Sequence, residues 1–455
     1  MNSIDTSFFD IFKTGPGPSS SHTIGPMLAA AAFCQAAAAL PEAILNTAER
    51  LEVHLYGSLS STGKGHGTDG AVIAGLLGHT PEHCDPEMLK GFSTRPASQY
   101  SVKLGRQTVS LSPTDIVFEQ DNQSPFANTM VFRLNSADGR ELLSQAYYSV
   151  GGGFIRRAGE AEPVRPPPPY PYANFRQFKH LVERTGLAPT ELLLRNEQVL
   201  SGLTGPEIEQ RLDALLETMD RAVVRGLHTT GLLPGKIGLE RKAMEVFRRA
   251  VQSDNPAEQQ LLTIDAAALA AAEENADGQI IVTAPTSGSS GVLPGLLYWL
   301  RHQQHIEPQR LRDGMLIAGL IAFVARHNAS ISGAEVGCQG EIGVASAMAA
   351  AMLAQIYGHP LAVIENAAES ALEHHLGMTC DPIGGYVQIP CIERNAVSAV
   401  TAYNAYLLAA YGSPDKHKLS FDAVIETMLE TGQDMSARYK ETAAGGLAVC
   451  GGCCR

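Results

Sequence analysis

The chain has 455 residues, 44% hydrophobic and 18% charged, the balance of a globular enzyme long enough for two or three domains with sizeable cores. Its formal net charge of -13 argues against a nucleic-acid partner, because gripping a phosphate backbone needs a basic stripe. No apolar run reaches membrane-span length, and Met1-Asn2-Ser3-Ile4-Asp5 has neither the basic nor the apolar region of a secretory signal, so a cytoplasmic protein that touches no membrane is the expectation.

In chain order, Gly15-Pro16-Gly17-Pro18-Ser19-Ser20-Ser21-His22-Thr23 leads into an Ala-rich helix predicted over Thr23–Leu40. Three hydroxyls and free backbone N–H groups at a helix start make an anion pocket, or equally an N-cap in a loop. Arg50–Tyr56 alternates like a half-buried strand, and 108–111, 115–119, 129–134 and 145–150 read the same way. Behind the first strand, Gly57–Asp69 is a Gly-rich loop offering Lys64, His66 and Asp69. Gly63-Lys64 is followed by Gly65, so the loop is no Walker motif. A histidine there is a candidate general base, against the plainer alternative of a surface side chain.

Glu162–Tyr172 is too rich in proline for a helix or a central strand. The chain therefore divides into an N-terminal β-rich α+β unit at 1–157, a linker at 158–175, an all-helical unit at 176–449 and a Cys-rich tail at 450–455. Helices are predicted at 206–227, 257–275, 292–303, 311–327, 342–357, 361–376, 395–411 and 420–439. Thr286, Ser287 and Ser289 form a second hydroxyl-rich helix start suited to a carboxylate, or a capped turn.

Eight cysteines in so long a chain make no disulfide scaffold, and with reduced thiols as the default, clustered cysteines suggest metal or catalysis. Cys338, Cys380 and Cys391 each sit in a turn bent by glycine or proline beside charged residues. Their separations match neither a zinc knuckle nor a ferredoxin run, and singly each would be ordinary buried filler. As a trio they suggest a shared site. Three thiolates are one short of the four a cubane cluster takes, which leaves one iron open as a Lewis acid. Of Glu373-His374-His375, at most one histidine can face that site, and Arg394 and Asn395 read as carboxylate holders or caps. Cys34 and Cys84 have no role beyond core or surface thiols.

Taken together, these segments closely resemble the iron–sulfur-dependent bacterial L-serine dehydratases of the single-chain type. The resemblance spans nearly the whole chain. It rests on Gly17–Pro26, Thr62–His66, Gly151–Phe154, Gly333–Glu341, Glu373–Gly385, Pro390–Asn395 and Tyr439–Thr442, all in order. It implies an N-terminal domain akin to the allosteric substrate-binding domain of some phosphoglycerate dehydrogenases. It also implies an all-helical C-terminal domain holding a [4Fe–4S] cluster on Cys338, Cys380 and Cys391, and a homodimer. Members often end in a cysteine that occupies the active site. Here Cys454 falls nearest that place, with Arg455 beyond it and Cys450 and Cys453 as extras.

The expected reaction removes water from L-serine. His66, with Lys64 in the same loop, is the expected catalytic pair, His66 taking the Cα proton. Ser19, Ser20, Ser21, His22 and Thr23 would grip the carboxylate, helped by Thr286, Ser287 and Ser289. Two other readings stand beside this one. A pyridoxal-phosphate dehydratase with Lys64 as Schiff-base lysine leaves the cysteines unexplained. A non-catalytic iron–sulfur sensor has no need of a carboxylate pocket.

Overall fold

The computed structural model describes residues 3–94, 98–119, 126, 128–160, 165–413 and 416–450. The described residues form nine strands in chain order: β1 Thr14–Pro16, β2 Ala48–Gly57, β3 Tyr100–Leu104, β4 Gln107–Leu111, β5 Ile116–Phe118, β6 Asn128–Ser136, β7 Glu141–Ser149, β8 Ile155–Arg157 and β9 Ile280–Val282. Seven of them form one sheet in the order β3-β4-β2-β6-β7-β8, with β5 also pairing with β2. β2 runs antiparallel to β6, setting Val53 opposite Phe132, and parallel to β5. The expected alternation is present. Leu51, Val53 and Leu55 are buried with Met130, Phe132 and Leu134, while Glu52, His54 and Tyr56 are half-exposed on the other face. Helices Gly25–Ala38 and Thr68–Leu76 cover the apolar face, where Phe33 stacks on Phe132 at 5.2 Å. They cross at Gly75, where a Cβ would lie 2.2 Å from the Met27 carbonyl oxygen.

The second unit is helical. At its centre is Ile342–Ile356, whose every residue except Gln355 is buried. Its apolar character on all sides follows from helices Val292–His302, Pro308–Asn328, Leu361–Glu373 and Cys391–Tyr411 packed around it. Three amphipathic helices absent from the sequence prediction, Phe175–Thr185, Pro189–Ser201 and Ala243–Gln252, complete the outer layer. No helix among the described residues is long and apolar enough to cross a membrane.

The two units are stitched together at both ends of the chain. The N-terminal arm leaves the sheet unit, and Ile4, Phe8, Ile11 and Phe12 enter the helical core. There Glu197 accepts from the Ser7 hydroxyl (2.6 Å) and the Phe8 N–H (2.8 Å). Next, β1 pairs with β9, Gly15 opposite Ile281, so both hydroxyl-rich loops start from one two-stranded ribbon. The described end of the Pro-rich stretch is docked on the helical unit. Tyr172 and Ala173 are buried, and the Tyr172 carbonyl accepts from Ile4 N–H at 2.8 Å.

Candidate active site

The first loop does not enter its helix directly. Ser20–Ile24 forms one wide, π-type turn, with extended Ser19 accepting from the His22 N–H, and the α-helix begins only at Gly25. The turn rolls Ser19, Ser21 and His22 inward, all of them buried. His22 stacks on His66 with ring centroids 4.4 Å apart at 28°. The Gly-rich loop behind β2 brings His66, and Gly67, in the left-handed conformation at φ 65°, turns that loop into helix Thr68–Leu76.

Hydroxyl groups fix the His22 imidazole and a backbone carbonyl fixes that of His66. Ser58 Oγ donates to the Glu441 carbonyl (2.8 Å) and Thr62 Oγ1 to the Ser58 carbonyl (2.9 Å). Both hydroxyls must therefore accept from His22 Nε2, at 3.1 and 3.0 Å, leaving His22 Nδ1 to accept from Ser21 Oγ at 2.9 Å. His66 Nδ1 can only donate to the Thr62 carbonyl (2.8 Å), so its Nε2 carries a lone pair, and that buried atom has no partner. Burial pushes His22 well below the ordinary histidine value and His66 down to about 4. Both rings are neutral near pH 7.

Opposite the imidazoles lie the thiols. Cys338 begins a single 3-10 turn after Gly337, which has φ 75° and whose Cβ would be 2.7 Å from the Met378 carbonyl oxygen. Cys391 opens helix Cys391–Tyr411, and Cys380 lies in a loop pinned by the segment Tyr439–Glu441. Cys380 N–H donates to the Tyr439 carbonyl, and the Glu441 N–H donates back to the Cys380 carbonyl, each at 2.8 Å. Arg394 braces the same loop through the Thr379 carbonyl (2.6 Å) and Asp381 (3.4 Å). All three cysteines are buried and none is in a disulfide. Cys338, Cys380 and Glu341 offer ligand atoms within 4.8 Å of one another. The Cys338 thiol and burial hold Cys380 well above the usual thiol value, and burial with the Cys338 charge does the same to Cys391.

A cavity of about 20 Å³ separates the two sides. It is lined by Ser19 and His66, by Cys338, Cys380 and Cys391, and by Glu341 and Glu441. Glu341 Oε1 accepts from Thr286 Oγ1 at 2.7 Å, and burial pushes this carboxyl up to about 7. Burial, with Glu341 and Cys338 next, holds Glu441 well above the carboxylate range.

Of the expected site residues, Ser19, Ser21, His22, His66 and the three cysteines are brought together. Thr286 reaches the cavity through Glu341. Ser20 Oγ accepts from Ser287 N–H (3.4 Å), and Thr23 Oγ1 donates to the His66 carbonyl (3.2 Å), so both tie loops together. Ser289 donates to the Ala284 carbonyl (2.9 Å) and holds its own turn, while the buried Ser287 Oγ has no partner. Lys64 is not among the lining residues. Its side chain is 71% exposed, with the amine 3.2 Å from Asp69 and over the Phe118 ring.

His374 is exposed, and the buried His375 serves packing, bonding the Ala371 carbonyl and Ser398 Oγ. Asn395 is neither cap nor carboxylate holder but a clamp between Cys391 and the Gly288–Gly291 turn. Cys34 is half-buried and Cys84 buried, and burial raises both thiols to about 11. Cys454 lies outside the described residues. The sequence reading gave no role to Ser58, Thr62, Glu341 or Glu441. The signal for Glu341 was its place three residues after Cys338, and Glu441 lay in a segment noted only for resemblance.

Two family patterns cover most of the chain. "Serine dehydratase beta chain" matches residues 7–160 and "Serine dehydratase alpha chain" matches 184–448. An L-serine dehydratase of Haemophilus influenzae is 41% identical over 454 residues, covering 97% of this chain and 98% of the relative. L-serine dehydratase 2 of Escherichia coli is 42% identical over 454 residues and the L-serine dehydratase of Streptomyces coelicolor 42% over 455, each with the same coverage.

Proposed function

The chain belongs to the serine dehydratase family, with alpha-type and beta-type units in one polypeptide, and on that premise we propose that it converts L-serine to pyruvate and ammonia where the two units meet. Loss of the Cα proton and the β-hydroxyl gives 2-aminoacrylate and water. Tautomerisation to the imine and hydrolysis then give pyruvate and ammonia.

The observation that carries the reading is the bare Nε2 of His66 in a cavity walled on its far side by three thiols. Its tautomer is fixed by the Thr62 carbonyl and the ring is neutral at working pH, so it can accept a proton without first losing one. His22 backs it as a flat, neutral surface and orients Ser21. Ser19 lines the pocket as a donor for the substrate carboxylate, Ser21 gives its proton to His22 behind it, and Thr286 acts through Glu341.

The thiol set fits a [4Fe–4S] cluster. Three buried cysteines converge without a disulfide, and the charged forms of Cys380 and Cys391 are disfavoured until a cationic group joins them. When bound, a cluster with three protein thiolates supplies an open Lewis-acid position for the departing oxygen. Pyridoxal phosphate is the weaker reading, since Lys64 points to solvent.

Three further readings belong to this proposal. The division into units at 1–157 and 176–449 assigns substrate grip to the first and the cluster to the second. The tail would return Cys454 to the site. In support, Leu447 N–H donates to Asp381 at 2.8 Å, one residue from Cys380. A truncation at 450 should then abolish any lag in progress curves, and an unchanged lag refutes that role. Finally, we read a cytoplasmic homodimer. Val397, Leu408 and Tyr411 are exposed on one face of a single helix, as a second copy would require, and sedimentation tests it.

The test of the whole reading uses anaerobically purified protein. L-serine should yield pyruvate and change a broad absorption near roughly 400 nm, as a cubane cluster gives. His66→Ala should keep that absorption and lose about 100-fold or more in kcat. Near-normal turnover in that variant refutes the base assignment. An aldimine band refutes the cluster.

A further inference from the structure

One part of the substrate has no partner in the reading above, on which this inference rests. L-serine brings an α-ammonium group into a cavity otherwise lined by hydroxyls, neutral imidazole and thiols. Two carboxylates line that cavity, Glu341 and Glu441. Glu341 Oε1 is taken by Thr286 Oγ1 at 2.7 Å, and its Oε2 faces the Cys380 sulfur at 3.9 Å. Glu441 is different. It is 6% exposed, and its Oε2 is buried without a hydrogen-bond partner. Its Oε1 lies 3.7 Å from His22 Nδ1, beyond hydrogen-bond distance, so no bond forms there. A buried carboxylate with a bare oxygen is costly unless a cation or donor completes it.

The backbone of Glu441 is built to hold it there. Its φ is 59°, in the left-handed region where a residue other than glycine is uncommon. Bonds on both sides hold that conformation, the N–H to the Cys380 carbonyl and the carbonyl to Ser58 Oγ, each at 2.8 Å. Ser58 belongs to the sheet unit and Cys380 to the helical unit, so the carboxylate is fixed between imidazoles and thiols. His305 and Ala443 share this backbone conformation, but of the three only Glu441 is a buried polar residue at the cavity, where such strain points to function.

We propose that Glu441 receives the α-ammonium group of the amino-acid substrate through its free Oε2. The contact selects amino acids over hydroxy acids. It also keeps the nitrogen cationic, which acidifies the Cα proton that His66 removes. Once the ammonium is in place, the bare oxygen has the partner it lacks in the empty cavity.

The test compares a ligand pair that differs only in the amine. KM for L-serine and the inhibition constant of 3-hydroxypropionate are measured on the full-length, cluster-loaded protein and on Glu441→Gln. Losing a charge-assisted bond should raise KM roughly 10- to 100-fold with a smaller fall in kcat, while the 3-hydroxypropionate constant moves less than about threefold. Glu441→Asp, which keeps the charge, should fall between. A parallel loss for both ligands, or an unchanged KM, overturns the assignment. If the unsubstituted protein turns over no L-serine, the parent reading fails and this one with it. If it does and Glu441→Gln keeps the wild-type preference, only this one fails.

Discussion

Asn395 ties helix Cys391–Tyr411 to the second hydroxyl loop, and its removal has a calculable cost. Its side chain is 1% exposed and makes three bonds. Nδ2 donates to the Gly288 and Cys391 carbonyls, each at 2.9 Å, and Oδ1 accepts from the Gly291 N–H at 2.8 Å. Cys391 lies four residues upstream in the same helix, so its carbonyl keeps a backbone donor. Asn395→Ala therefore strands two groups, the buried Gly291 N–H and the half-buried Gly288 carbonyl. At 1–3 kcal/mol for each stranded group, the variant should lose about 4 kcal/mol. Urea denaturation followed by circular dichroism should show a lower midpoint with an unchanged slope. Asn395→Asp is the informative control. It still accepts from Gly291, but its second oxygen faces the Gly288 carbonyl, so near neutral pH it should be no more stable than the alanine variant. A loss below about 1 kcal/mol for Asn395→Ala, or a well-tolerated Asp, refutes the clamp.

Other perturbations separate packing, charge and metal. Gly75→Ala, whose Cβ would lie 2.2 Å from the Met27 carbonyl oxygen, should cost about 1–3 kcal/mol in thermal or urea denaturation with little effect on KM. His66 is held near 4, below its unfolded value of roughly 6.5, so the unfolded chain binds more protons between those values. Its contribution is complete above about pH 6.5 and falls away as the pH drops toward 4, by on the order of 3 kcal/mol. On metal-free protein, His66→Asn should flatten the acid limb of stability, and an unchanged slope removes the basis for the buried neutral imidazole. Cys391→Ser should lower bound iron measured by metal analysis while leaving the far-ultraviolet circular dichroism unchanged. Full iron occupancy in that variant refutes its place in the thiol set.

Periodicity made much of this fold legible. The apolar alternation of Arg50–Tyr56 identified a half-buried strand, and a run at 342–356 that is apolar but for Ser346 and Gln355 identified a buried helix. The helices missed at 175–185 and 189–201 mix charged residues among the apolar ones, and their stripe is narrow because they pack on one side only. The first helix was placed two residues early because a π-type turn keeps helix-like spacing while it redirects Ser19–His22. Cys338, Cys380 and Cys391 stood out by sitting in bent turns. Glu441 did not, because nothing in Tyr439-Lys440-Glu441-Thr442 announces that a bridge to Cys380 will carry it into the site. Ser58 and Thr62 were passed over for the same reason, since their importance lies in which carbonyls take their protons.

The way the chain crosses between its units bears on how the site works. β1 brings Ser19–His22 out of the helical unit's own ribbon, and Tyr439–Glu441 returns from the far end to seal Cys380 against Ser58. The imidazole wall therefore depends on a carbonyl from the C-terminal segment, since Ser58 Oγ donates to Glu441 and so accepts from His22. The thiol wall depends on the same segment through Cys380. One residue fixes the tautomer on one side and the loop on the other. The cavity between them is consequently a property of the closed pair of units, and a displacement of either one disturbs His22, Cys380 and the bare oxygen of Glu441 together.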